Sequence, residues 1–150
     1  MINEKRLIKT FTDLVKIDSE SRNEKKVASY IEKKIKKLKL KYKFDNSKKL
    51  TGSNVGNLII YKKNNNSKKF FVLSSHMDTV VPGNGIKPVI KKNHIESGGN
   101  TILGADDKSG LAIILEVFET LVEKKYSHVN LEAAITCLLY TSPSPRDSNL

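Results

Sequence analysis

The sequence has 150 residues, 38% of them hydrophobic and 29% charged, which fits one globular domain with a buried core and is too short for two typical domains. Its formal net charge of +11 raises nucleic-acid binding, but only three of the 27 basic residues are arginine (Arg6, Arg22 and Arg146). The lysines run along the whole chain without interleaved aromatics, so solvated helix faces are expected and a nucleic-acid partner is not.

Residues 3–15 place Leu7, Ile8, Phe11, Leu14 and Val15 three or four apart, the spacing of a helix with one apolar face. "KIDSESRNE" interrupts that spacing and offers serine and asparagine caps to a second helix over about 24–38. There Val27, Ile31, Ile35 and Leu38 form one stripe opposite lysines. The pattern then changes, and strands are predicted over 41–44, 57–61 and 70–75, with "KKNNNSKK" as the turn before the third. Pro82, Gly83, Gly85 and Pro88 mark a loop that leads to a short strand, and "NHIESGGNT" is expected to be the turn of a hairpin. Helical spacing returns over 110–121 through Leu111, Ile114, Leu115 and Phe118, and 130–136 is the last predicted strand. Helices alternating with strands indicate an α/β domain, and no internal repeat is present. No run approaches the ~20 apolar residues of a membrane span. The start lacks a secretory-signal pattern and a single cysteine excludes an internal disulfide, so a cytoplasmic location is expected.

Two stretches carry candidate chemistry. In "FFVLSSHMDTV" an apolar run ends at His76 and Asp78, which share a face of the strand because alternate residues point the same way. Either a buried strand surfaces there, or the pair forms a metal site in which the carboxylate orients the imidazole. In "LGADDKSG" an aspartate stands thirty positions beyond His76, at the end of an apolar segment and before a helix. Asp106 could bridge two cations about 3.5–4 Å apart; alternatively, Asp106 and Asp107 cap the helix. His94 and His128 follow polar turn residues and are expected to be exposed loop histidines, and Glu132 lies inside a strand. There is no G-x-S-x-G and no G-x-x-x-x-G-K-[ST], which removes the usual support for serine-hydrolase and nucleotide-triphosphate readings.

Taken together, "SSHMDTVVPGNG" and "TILGADDKSGLAIILE" resemble the co-catalytic zinc peptidases of the aminoacylase and glutamate-carboxypeptidase superfamily, most of all its peptidase T-like branch, the tripeptide aminopeptidases. The likeness runs from "LIKTFTDLVKIDSESRNE" to "HVNLEAAIT". It implies the N-terminal part of a zinc-peptidase-like catalytic domain, a mixed sheet flanked by helices. It also implies two divalent metal ions, zinc foremost with cobalt or manganese as substitutes, a short-peptide substrate and a homodimeric parent. By this resemblance His76 binds one metal, Asp78 is the catalytic-site aspartate that orients it, and Asp106 bridges both ions. Asp107 is a capping group or one that acts from behind the ligands, and the bond between Asp106 and Asp107 is cis. Lys108 belongs to the motif without an assigned role. Ser19 sits in a loop near the cleft, where a plain helix cap is the simpler expectation.

The departure from the pattern lies at the end. Relatives of this family follow the last strand with two adjacent glutamates, the first a general base and the second a metal ligand, whereas this chain continues with Cys137, Leu138, Leu139 and Tyr140. "CLLYTSPSPRDSNL" contains no lysine, two of the four prolines and the lone cysteine, and residues 137–147 resemble an in-frame translation of a sequencing-library adapter. Residues 1–136 are therefore expected to be the native, truncated catalytic portion and 137–150 a non-native tail. The general base and further ligands are then missing, so the fragment is expected to be inactive with one edge of its sheet uncovered. A dipeptidase, a carboxypeptidase or an N-acyl amino-acid deacylase of the same superfamily is the alternative, and a basic, non-catalytic binding module is the alternative of another class.

Overall fold

A computed structural model describes residues 2–139. The N-terminal amphipathic segment forms α1 (Glu4–Val15), capped by Asn3, whose Oδ1 accepts the Arg6 N–H at 3.1 Å. The next helix, α2 (Lys25–Lys37), buries Val27, Ala28, Ile31 and Ile35 and leaves its lysines outside. No serine of the preceding loop caps it. The N-cap residue is Glu24, and the Lys25 amide is met instead by Asn54 Oδ1 at 2.9 Å.

After β1 (Lys41–Phe44) comes α3 (Lys48–Thr51), a single turn that the sequence pattern did not disclose. Asp45 organises it by accepting both the amide and the hydroxyl of Ser47. Then follow β2 (Leu58–Lys62), β3 (Phe70–His76), β4 (Pro88–Ile90), β5 (Ile95–Ser97), α4 (Ala105–Lys124) and β6 (Asn130–Thr136). Two boundaries correct the expectation. Residues 95–97, expected within a hairpin turn, are a strand paired antiparallel with β4, so the turn itself is 91–94. The last helix also begins earlier, at Ala105, across the non-helical backbone of Asp106 and Asp107.

The main sheet has the order β1-β2-β6-β3, with antiparallel pairs β1–β2 and β2–β6 and a parallel pair β6–β3, so it is mixed. Alternation decides its faces. Leu58 and Ile60 on β2 and Leu131, Ala133 and Ile135 on β6 are buried, while their neighbours Ile59, Tyr61, Glu132 and Ala134 are half-buried. The buried set joins Leu14, Val27, Ile31, Ile35, Leu111, Leu115 and Phe118 from the helices in one core. A polar clamp ties α1 to α4: Arg6 grips Glu116 with Nε at 2.7 Å and Nη2 at 2.9 Å, and Thr120 Oγ1 donates to the same carboxylate at 3.0 Å.

Among the described residues β1 and β3 are the sheet's edges, and no helix is long and apolar enough to cross a membrane. Of the segment expected to be a non-native tail, Cys137 and Leu138 are buried and Leu139 is exposed. Residues 140–150 lie outside the described residues.

Candidate functional site

The parallel pairing of β3 with β6 aligns His76 with Thr136, so both strands end at one edge of the sheet. Ligands commonly gather at the carboxyl ends of strands in α/β sheets. The β3 chain continues inward there: Met77 donates its N–H to Thr136 O at 2.9 Å, and Ser75, His76, Met77, Asp78 and Thr79 are all buried.

His76 is held from both sides. Nδ1 lies 3.0 Å from Asp78 Oδ1 and 3.0 Å from the Asp78 carbonyl, and Nε2 lies 3.1 Å from Asp106 Oδ1. Burial opposes charge on the ring, but hydrogen bonds and Coulomb attraction from Asp78 and Asp106 outweigh it and raise the His76 pKa to about 9. The Asp78 carboxyl moves the other way. Burial raises it, yet the hydrogen bonds from His76 and Ser21, with attraction to the ring, hold it below its ordinary value. Asp78 is 3% exposed and accepts three donors: His76 Nδ1–H and Leu139 N–H (2.9 Å) at Oδ1, and Ser21 Oγ–H (2.7 Å) at Oδ2.

Asp106 differs in setting, since its side chain is 88% exposed. It reaches the site from the beginning of α4, where Gly104 turns with φ 72° and the Asp106–Asp107 peptide is cis. Asp107 faces the helix instead, with Oδ1 accepting Gly110 N–H at 3.0 Å, while its carbonyl accepts Ser75 Oγ–H at 3.2 Å. A Cβ on Gly110 would lie 2.4 Å from that Oδ1, so glycine is what lets the carboxylate come close.

A cleft of about 320 Å³ opens over the pair, lined by Ser21, Val80, Ile102, Leu103 and Leu139 beside His76 and Asp106. Its floor is therefore ionisable and its walls are largely apolar. Among the described residues no group of three or more His, Cys, Asp or Glu side chains stands together as an ion site. The imidazole and the Asp106 carboxylate are two convergent donors, the chemistry that a divalent cation accepts.

The remaining candidates lie apart from this pair. His94 is exposed and paired with Glu96 at 3.1 Å. His128, expected to be exposed, is half-buried, because its ring bonds the Val129 carbonyl and its own carbonyl accepts from Asn64. Glu132 sits within β6 opposite Tyr61 and Val72. Cys137 is buried with its Sγ 3.8 Å from the hydroxyls of Ser47 and Thr51. Ser19 is no helix cap: it is fully buried, and its carbonyl accepts Thr79 N–H at 2.9 Å.

Two residues near the site have contacts that their local sequence did not disclose. Ser21 reaches Asp78 across 57 positions of sequence, and Lys108, fully buried, donates Nζ to the Ile17 carbonyl at 2.6 Å. Burial pulls the Lys108 ammonium down to about 8 against attraction from Asp18. Hydropathy places neither residue; only the tertiary fold does.

No protein-family model matches the chain. It is 43% identical over 136 residues to the uncharacterized protein YqjE of Bacillus subtilis, covering 91% of this chain and 37% of that protein. The crystal structure of a tripeptidase from Staphylococcus aureus superposes with a TM-score of 0.85 at 41% identity, and that of aminopeptidase PepT from Bacillus cereus with 0.86 at 43%. In both, 91% of this chain matches 37% of the other, so the chain spans little more than a third of the length of these relatives. By sequence and by fold, the chain is peptidase T-like and corresponds to the N-terminal part of such peptidases of the aminoacylase and glutamate-carboxypeptidase superfamily.

Proposed function

We propose that this chain is the metal-binding N-terminal portion of an aminopeptidase that removes the N-terminal residue from short peptides, tripeptides foremost. The observation that carries the reading is the line Asp78–His76–Asp106, joined at 3.0 and 3.1 Å at the floor of one cleft. His76 Nε2 and the Asp106 carboxylate would hold divalent cations, zinc first, with cobalt or manganese as substitutes. Such cations supply the Lewis acidity that polarises a peptide carbonyl and acidifies water.

The chain's own side chains prepare that chemistry. Asp78 holds the Nδ1 proton of His76, which fixes the tautomer and turns Nε2 toward the cleft. Asp106, almost fully exposed, brings a carboxylate to the same point from another element. The apolar walls contributed by Val80, Ile102 and Leu103 would pack against substrate side chains and thin out water beside the floor. Where a general base would follow β6, the sequence has Cys137, Leu138 and Leu139, none of which takes up a proton as a carboxylate does. The 150 residues alone are therefore read as inactive. The working enzyme is a longer, dimeric protein in a reducing compartment.

Assays on the longer protein, comparing a tripeptide, a dipeptide and an acetylated amino acid before and after chelation, test this reading. Chelator-sensitive release of the N-terminal residue from the tripeptide is expected. Preference for the dipeptide or the acetylated amino acid would move the assignment to a dipeptidase or deacylase of the superfamily. Chelator-sensitive hydrolysis by the 150-residue chain would contradict the reading that these residues lack the general base.

A further inference from the structure

The buried carboxylate behind His76 has two oxygens with unequal support. Oδ1 receives His76 Nδ1–H at 3.0 Å and Leu139 N–H at 2.9 Å, whereas among the described residues Oδ2 receives only the Ser21 hydroxyl at 2.7 Å. A carboxylate anchored through one oxygen still turns about its broad terminal torsion, so a donor on the second oxygen sets its plane. Leu139, moreover, lies in the segment read as non-native, which leaves His76 and Ser21 as the donors from residues 1–136.

Ser21 is exposed, but the backbone on either side of it is tied down. One residue away Glu20 Oε1 accepts Gly83 N–H at 2.8 Å, and Ser19 O accepts Thr79 N–H at 2.9 Å, so the segment is sewn to the loop that follows Asp78. On the other side Arg22 adopts φ 78°, a left-handed conformation uncommon for a side-chain-bearing residue. Its amide donates to the buried Glu24 carboxylate, which also takes the Ser53 hydroxyl. The Arg22 carbonyl accepts Asn54 N–H at 3.2 Å. Behind the segment Lys108 Nζ reaches the Ile17 carbonyl at 2.6 Å, tying it to the helix that begins at the Asp106 turn. The backbone that carries Ser21 is thus fixed from several directions, although the residue stands at the surface and its hydroxyl bonds Asp78.

We propose that Ser21 is a positioning residue: it sets the plane of the Asp78 carboxylate and thereby the direction in which His76 presents Nε2 to the cleft. The proposal rests on the reading of His76 as a metal ligand. Ser21 lines the cleft, but its hydroxyl is committed to Asp78, and it acts through that carboxylate.

The test uses the 150-residue chain with zinc ions alone as the probe, and compares wild type, Ser21→Ala and Ser21→Thr. Ring nitrogen resonances of the three histidines are recorded without metal, and zinc dissociation constants are then measured by chelator competition. In Ser21→Ala the His76 ring signals are expected to shift while those of His94 and His128 stay, which separates local reorientation from loss of fold. Zinc binding is expected to weaken by about tenfold, the scale on which groups behind metal ligands act. Ser21→Thr, which keeps the hydroxyl, restores both readouts. Unchanged His76 signals and unchanged zinc affinity in Ser21→Ala would overturn the proposal. A wild-type chain that takes up no zinc at His76 overturns the metal reading instead, and the metal-free ring signals then decide the role of Ser21 on their own.

Discussion

The two ends of β3 invert the ordinary relation between hydropathy and burial. At its start Phe70, Phe71 and Val72 are 61%, 56% and 55% exposed; at its end His76 and, just beyond, Asp78 are 8% and 3% exposed. Both ends lie on the edge strand of a chain that spans little more than a third of its relatives' length, but the polar end sits under the cleft with its donors and acceptors paired. Burying ionisable groups is costly unless each is compensated, so the buried, paired polar end points to selection for chemistry rather than stability. A strand that merely surfaced at His76 would show the opposite order.

The harshest way to break this contrast is Asp78→Ala. It removes the carboxylate shared by the His76 ring, the Ser21 hydroxyl and the Leu139 amide, leaving the ring only the Asp78 carbonyl, and removing one partner of a buried pair costs about 3–5 kcal/mol. Urea unfolding reads this directly, and a loss no larger than that of an exposed ion pair, about 1 kcal/mol or less, would mean that the network is not stabilising.

A buried carboxylate remote from the cleft provides a control. Glu116 accepts Arg6, Thr120 and the Asn3 amide, so Glu116→Gln should cost about 2 kcal/mol through weakened charge-assisted bonds. Burial raises the Glu116 carboxyl, but the hydrogen bond from Arg6 and its other donors hold it below its ordinary 4.5. Its contribution is therefore fully present above pH 4.5 and is lost as the pH falls through the lower folded value. Acid titration of stability should show that loss in wild type and a flatter profile in Glu116→Gln.

A smaller effect is expected at the start of α4. Gly110→Ala pushes a methyl group into the Asp107 carboxylate and removes its cap on the helix, at about 1 kcal/mol by thermal or urea unfolding. Smallest of all, Phe71→Ser at the exposed end of β3 should change stability by no more than about 0.5 kcal/mol despite deleting an aromatic ring. If Phe71→Ser destabilised as much as Asp78→Ala, the contrast between the two ends would fail.

Much of the fold was legible because it is written in periodicity. The spacing of Leu7, Phe11 and Leu14, and of Val27, Ile31 and Ile35, gave α1 and α2, and short apolar runs gave β2, β3 and β6. The convergence of His76 with Asp106 was legible through the order and spacing of two motifs, not through hydropathy. What stayed hidden depends on partners distant in sequence. The single turn α3 is stabilised by Asp45 and Ser47 rather than by an apolar stripe, and β5 exists because Ile95 pairs with Ile90 across a turn. Ser19 and Ser21 looked like helix caps from their position before α2, yet their bonds run to Thr79 and Asp78. Glu24 and Lys108 are charged residues that local pattern would leave in solvent; both are fully buried on single, specific hydrogen-bond networks.

The most direct test of the central claim is an anomalous-scattering map at the zinc edge, from crystals of the longer protein grown with zinc. The account predicts a peak about 2.1 Å from both His76 Nε2 and an Asp106 oxygen, with Asp78 still on Nδ1. A zinc peak elsewhere, with the His76 and Asp106 side chains left without an ion, would contradict it.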